Sequence, residues 1–150
     1  MVGGKRGRGG GELKRFEVIE HTADVGIRAY GRSREEAFAS CALGMMSLIL
    51  DVGSVEPRER KDIRARASGP EELLVRWLSE ILFLVEVEGW AFGDFEVREV
   101  TGDRVEGWGL GEPLDPARHK VSGEIKAPTY HMLQLSEENG TWVAQVIFDV

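Results

Sequence analysis

Hydrophobic and polar residues alternate along two stretches near the start of the chain, and this pattern predicts two β-strands. Residues 14–20 place Phe16 and Val18 on one face, and residues 25–30 alternate in the same way. The residues between them, HTAD at 21–24, are too few for anything but a short connection. We therefore expect a pair of strands joined by a short loop.

Two other stretches have the period of an α-helix. Ser33 and Glu36 form a capping box, in which both side chains satisfy free amides at a helix start, and apolar residues then recur three and four positions apart to about Asp51. A second helix begins at Pro70, with acidic residues at the positive end of the helix dipole. Because it is the longest hydrophobic element, we expect it at the centre of the core. Its apolar stripe consists of Leu74, Trp77, Leu78, Ile81 and Val85.

The remaining segments alternate again. They predict strands at 61–67, 94–100, 104–111 and 121–127, followed by a hairpin over 130–149. Asn139 and Gly140 tolerate the positive φ of a tight turn and mark the hairpin's turn. The predicted fold class is α+β: a single compact domain in which two amphipathic helices pack on a mostly antiparallel or mixed β-sheet.

The length and the cysteine usage place this domain among ordinary intracellular proteins. A chain of 150 residues suits one domain, which we place at 13–150, after a disordered glycine- and arginine-rich arm at 1–12. The single cysteine, Cys41, excludes an internal disulfide and falls on the apolar stripe of the first helix, which predicts a core residue. There is no apolar run of about 20 residues and no apolar signal core, so we expect a cytoplasmic protein without a membrane partner.

The charge is unevenly distributed along the chain. A formal net charge of −7 argues against a domain that coats nucleic acid, so we expect weak or no direct RNA binding. Residues 1–11 nevertheless carry three cations and no acid. They either touch RNA or are a frayed start, and the composition favours the frayed start.

Asp24 and Asp149 are the acidic residues in the most suggestive positions. Asp24 lies in the loop between the first two strands, and Asp149 ends the last strand beside the terminal carboxylate of Val150. Neighbouring anionic groups repel each other, and a hard cation such as Ca²⁺, Mg²⁺ or Mn²⁺ would relieve that repulsion. Acids at strand ends are more often simply solvated, so the spacing alone leaves a metal site open.

Histidine and lysine supply the other candidates. No two of His21, His119 and His131 have metal-ligand spacing within one element, and such histidines are more often hydrogen-bonded loop or sheet residues. Lys126 precedes Pro128 at an expected strand end, where it is either a solvated cation or a contact to an anionic partner. The chain contains no phosphate-binding glycine loop, nucleophile elbow or HExxH motif.

In order and spacing, these segments resemble the archease family. The matching segments are EHTADVGIRAYG at 20–31, EEAF and ALGM on the first helix, EELLVRWLSEILFL at 71–84, EIKAPTYH at 124–131 and WVAQVIFDV at 142–150. The resemblance runs from about Phe16 to the last residue and leaves out the first eleven.

The resemblance implies an accessory factor of the RtcB-type tRNA-splicing ligase rather than an enzyme. Such a factor promotes the guanylylation and multiple turnover of the ligase, so its link to tRNA halves and GTP is indirect. The family binds calcium, or another hard divalent ion, through the positions that match Asp24, Asp149 and Val150. The partner-contact candidates are Asp51, Lys126 and His21.

Two other classes of function stay open. A metal-dependent hydrolase could use Asp24, Asp51 and Asp149, with His21 or His131 as the base. Against it, so short a chain offers no obvious nucleophile or substrate motif. An RNA-binding module led by the arm would show salt-sensitive RNA binding, and the net charge argues against that as the main activity.

Overall fold

Two antiparallel β-sheets and two α-helices make up the part of the chain that the structure describes. A computed structural model describes residues 14–20 and 24–150. The helices are α1 (Arg34–Ser47) and α2 (Pro70–Glu86), and a short 3-10 turn, Val52–Ser54, follows α1. The strands are β1 (Phe16–Glu20), β2 (Val25–Gly31), β3 (Glu59–Arg66), β4 (Trp90–Val100), β5 (Arg104–Pro113), β6 (Ala127–Pro128), β7 (Gln134–Glu138) and β8 (Thr141–Asp149).

The first sheet is built around β8. On one side β8 pairs with β2, which pairs with β1, and on the other side it pairs with the short strands β6 and β7. The β7–β8 hairpin turns at Asn139 (φ 56°) and Gly140 (φ 83°), as its two turn residues predict. The last strand of the chain is therefore paired along both edges.

The second sheet has the order β3–β5–β4. Three alternate positions of β5, at 107, 109 and 111, are glycines because the neighbouring strand β4 approaches closely. A Cβ atom built on Gly111 would lie 1.9 Å from the carbonyl oxygen of Ala91. These glycines serve sheet packing, in agreement with the absence of a nucleotide-binding pattern in the sequence.

Helix α1 lies between the two sheets and at the centre of the core. Ten consecutive residues, 37–46, are buried, and the helix packs on β2 and on β4. Small side chains allow this close fit: a Cβ atom on Gly44 would lie 2.7 Å from Ile27. Helix α2 buries one stripe and leaves Phe83 48% exposed. The predicted apolar stripe of α2 is core, with Leu74, Trp77 and Leu78 fully buried. Helix α1, whose small residues let it be enclosed on all sides, shares the centre of the core with it.

The α+β class and the single domain are confirmed, although the strands divide into two sheets instead of one. The predicted strand at 121–127 was also wrong. Its main chain hydrogen-bonds to the residues just after α1, where Ser122 N donates to Ile49 O at 2.9 Å, and only Ala127 joins a sheet. The predicted arm at 1–12 lies outside the described residues. Within those residues, neither helix combines the length and apolar character that crossing a bilayer requires.

Candidate functional site

The pairing of β2 with β8 bears on two of the predicted metal ligands, Asp24 and Asp149. In the β2–β8 pair, Val25 lies opposite Phe148. If this antiparallel register continued by one residue beyond β2, Asp24 would lie opposite Asp149. Because side chains alternate between faces, both carboxylates would then fall on the face of the sheet opposite to the buried Phe148.

Both acidic side chains are at least partly exposed to solvent. Asp24 is half-buried, Asp149 is exposed, and the following residue, Val150, is 47% exposed. Like charges directly opposite on neighbouring strands are destabilising. The donors available are all oxygens, which suits a hard divalent cation and not a soft metal.

The main chain of Lys126 is hydrogen-bonded to that of Asp149. Its backbone N–H donates to the carbonyl oxygen of Asp149 at 2.8 Å, and the next residue, Ala127, is the register partner of Asp149. The Lys126 side chain is exposed and has no ion-pair partner in the described part of the chain. Its ammonium group is thus free to meet an anionic partner.

Asp51, just after α1, contacts the segment that leads to Lys126. Its carboxylate accepts a hydrogen bond from Gly53 N at 3.1 Å and caps the 3-10 turn that follows α1. Its backbone N–H donates to the carbonyl oxygen of His119 at 3.0 Å. Asp51 therefore has a local structural role, and its exposed carboxylate also remains accessible to a partner.

A buried ion cluster holds the segment between Pro113 and Lys126 in place. Glu112 and His119 are 2% and 0% exposed, and His119 Nε2 lies 2.8 Å from Glu112 Oε2. The His119 Nδ1 atom accepts a hydrogen bond from Asp115 N, so the ring proton lies on Nε2 and is donated to Glu112. Arg118 and the backbone N–H of Glu56 donate to the same carboxylate, at 2.8 and 2.9 Å.

These donors keep Glu112 ionised. The hydrogen bond from Glu56 N, followed by the one from His119, lowers the pKa of Glu112 from 4.5 to about 2, against the opposing effect of burial. A buried carboxylate with several charge-assisted partners fixes the chain around it. Through His119, this cluster also fixes the backbone of Asp51.

The geometry does not assemble the three-aspartate site of a hydrolase. Among the described residues, no three side chains of histidine, cysteine, aspartate or glutamate are grouped closely enough to hold a metal ion. Asp51 is therefore not a third ligand beside Asp24 and Asp149. His131 is exposed in the loop before β7, and His21 lies outside the described residues.

Cys41 is buried in α1, as its place on the apolar stripe predicts. Burial raises the pKa of its thiol to about 12, so the thiolate is not available as a nucleophile at neutral pH.

Comparison with known proteins decides the family. The model of the Archease protein family (MTH1598/TM1083) matches residues 16–150. The chain belongs to the archease family. Protein archease from Methanopyrus kandleri is 41% identical over 138 residues, which cover 90% of this chain and 99% of that protein. Protein archease from Pyrococcus abyssi is 40% identical over 142 residues, or 92% of this chain and 100% of that protein.

Solved structures agree with the archease fold described here. The solution structure of Methanobacterium thermoautotrophicum protein 1598 has a TM-score of 0.76 and 31% identity, covering 90% of this chain and 98% of that one. The crystal structure of an archease, possible chaperone, from Thermotoga maritima has a TM-score of 0.55 at 22% identity, covering 88% and 94%. That second likeness concerns the fold alone.

In this archease, the residue that sequence reasoning missed is Glu112. It stands in a glycine-rich strand where nothing in the local pattern distinguishes it from a solvated acid. Its partner His119 was a candidate, and the structure places it as a hydrogen-bonded loop residue, which is the more common role of a lone histidine.

Proposed function

We propose that this archease activates an RtcB-type tRNA-splicing ligase by promoting its guanylylation, and that it is not itself an enzyme. The family supports an accessory role, and the observation that supports the proposed site is the pairing of Val25 with Phe148, the residues that directly adjoin Asp24 and Asp149. The proposed cation ligands are these two carboxylates and a main-chain oxygen of Val150. Calcium is the expected ion, with manganese or magnesium as alternatives.

The chemistry of the ligase explains what such a site could contribute. Attaching a guanylyl group to the ligase is a nucleotidyl transfer, in which negative charge develops on phosphate oxygens. A bound cation would supply positive charge for those oxygens. Asp24 and Asp149 would position that charge, and the ammonium group of Lys126 would add a second positive group beside it.

The buried Cys41 supports a role without covalent catalysis by this chain. Its thiol has a pKa of about 12 and is enclosed in α1, so it cannot accept the guanylyl group at neutral pH. Cys41 is therefore excluded as the acceptor, and we propose that the nucleotide adduct forms on the ligase.

Radiolabelled GTP tests the proposal directly. The ligase band should acquire label faster in the presence of this archease, no label should appear on the archease, and multiple-turnover ligation should speed up in parallel. Asp24→Asn and Asp149→Asn should remove the acceleration. Glu137→Gln is the matched control, because it removes one exposed negative charge from β7, away from the end of β8. Label on the archease, or equal labelling of the ligase with and without it, would overturn the proposal.

A further inference from the structure

The outer face of the second sheet carries a polar hollow that the proposed function does not use. Its volume is about 340 Å³, at the lower end of the range of ligand pockets, roughly 300–1,000 Å³. Side chains from all three strands surround it. We name the lining the arginine–tryptophan face: Arg60, Asp62, Arg64, Arg98, Glu106 and Trp108.

A stacked pair of side chains lies at the centre of this face. Trp108 is paired with Asp62 of β3 and with Glu96 of β4, so its indole occupies the middle strand of the sheet. The guanidinium carbon of Arg60 lies 3.8 Å from the centroid of the Trp108 ring. The Arg60 side chain is 55% exposed, so the outer side of this stack faces solvent. A planar guanidinium on an indole is a platform on which a further flat group can stack.

The charges on the face leave positive groups available beside this platform. Arg60 is paired with Asp62 at 3.0 Å, and Arg98 is paired with Glu106. Arg64 is exposed and lies opposite Glu106, whose pKa it helps to lower, but it forms no ion pair within 4 Å in the described part of the chain. The hollow therefore has three arginines against two carboxylates.

Arg66 extends this positive edge beyond the hollow. It follows Arg64 on the same face of β3, is also exposed, and likewise lacks an ion-pair partner among the described residues. Because side chains two residues apart on a strand point to the same side, Arg64 and Arg66 form a short positive row along β3. This row lies at the margin of the sheet, next to the stacking platform.

We propose that the arginine–tryptophan face binds a short segment of single-stranded RNA. One base stacks on the Arg60–Trp108 pair, and neighbouring phosphates lie beside Arg64 and Arg66. A planar platform next to unpaired arginines matches the two components of RNA, its bases and its phosphates. An acidic peptide would use the arginines but would gain nothing from the platform.

This inference goes beyond the activation of the ligase and does not depend on it. It also revises the expectation of weak or no direct RNA binding, which rested on the net charge of −7 of the whole chain. Binding to a single face depends on the local distribution of charge, and here the unpaired positive groups are concentrated on β3.

Fluorescence anisotropy with a labelled short oligouridine and the full-length chain tests the inference without any ligase. Arg64→Ala should weaken binding severalfold. It should also reduce the slope of the logarithm of the binding constant against the logarithm of the salt concentration by about one, the equivalent of one phosphate contact. Trp108→Leu should weaken it roughly fivefold to a hundredfold, and Trp108→Phe, which keeps a flat ring, should retain most of the affinity. Arg76→Ala is the matched control, since it removes an exposed arginine from α2.

The differences in RNA affinity between these variants decide for or against the proposal. Any binding by residues 1–13 is common to all the variants, so only differences between them count. Loss of affinity in Arg64→Ala and Trp108→Leu, with near-normal binding in Arg76→Ala and unchanged thermal unfolding, supports it. No binding by the wild type, or equal losses in Arg64→Ala and Arg76→Ala, overturns it. If polyglutamate with the same number of charges as the RNA displaces it, and the Trp108→Leu variant binds as well as the wild type, the face would instead be assigned to an acidic peptide.

Discussion

Replacing Glu112 with glutamine should change the pH dependence of folding, because this buried carboxylate is ionised in the folded chain. Its oxygens accept from His119, Arg118 and the backbone N–H of Glu56, all of which favour the charged form. Glutamine keeps the shape of the glutamate side chain but replaces one carboxylate oxygen with an NH₂ group. That group would face one of these hydrogen-bond donors without an acceptor between them. The segment that holds Asp51 should loosen as a result.

The direction of the effect follows from the lowered pKa. The pKa of Glu112 falls from its ordinary 4.5 to about 2 in the folded chain, so its stabilising contribution is fully present above pH 4.5 and is lost as the pH falls through 2. Near pH 3.2 the unfolded chain binds about 0.9 more of a proton at this position than the folded chain does. The free energy of unfolding should therefore rise with pH through this window, with the slope expected for the release of nearly one proton on folding.

Denaturant unfolding of the wild type and of Glu112→Gln between pH 6 and pH 3 provides the assay. Other carboxylates titrate in the same range, but their contributions cancel in the difference between the two proteins. That difference should be largest near pH 6 and should shrink as the pH falls below 4.5. A difference that stays constant over the whole range would refute the reasoning. If the variant does not fold, carboxyl-carbon NMR of the wild type can follow the titration of Glu112 itself.

Three further predictions concern single residues. Lys126→Ala should change the free energy of unfolding by less than about 0.5 kcal/mol while reducing stimulation of the ligase, whereas a large loss of stability would show that the lysine anchors the fold. Gly111→Ala should destabilise the chain by about 1–3 kcal/mol because its Cβ would lie 1.9 Å from Ala91 O, and Gly102→Ala, with nothing within 4 Å, should be nearly neutral in the same denaturation assay. Cys41 should resist alkylation in the native protein at pH 8, since its pKa is about 12, and react only on unfolding.

Local patterns predicted most of the secondary structure, since they reflect forces that act within a few residues. The capping box at Ser33 and the proline at position 70 mark the starts of α1 and α2, and the Asn139–Gly140 turn is where the pattern predicts it. The centre of the core depends on which surfaces meet across the fold. A local stripe cannot show that α1, with its small residues, is enclosed by two sheets.

Local patterns likewise predicted some residues of the candidate site and not others. Asp24 and Asp149 could be singled out because one directly precedes an apolar strand and the other ends one, yet only the β2–β8 register shows that their neighbours Val25 and Phe148 are paired. Glu112 and His119 lie seven residues apart, in a strand and in a loop, and their contact depends on how the loop folds back. The interactions of Arg60 and Trp108 likewise arise from the register of β3 with β5.

Calorimetric titration of the purified archease with Ca²⁺ tests the central claim most directly, which is that Asp24 and Asp149 hold a divalent cation. A site with so few protein oxygens should bind calcium weakly, with a Kd of about 10⁻⁵–10⁻³ M. Asp24→Asn and Asp149→Asn should each weaken binding by about tenfold or more, and Glu137→Gln should leave it unchanged. Equal calcium affinity in the wild type and in both aspartate variants would contradict the account.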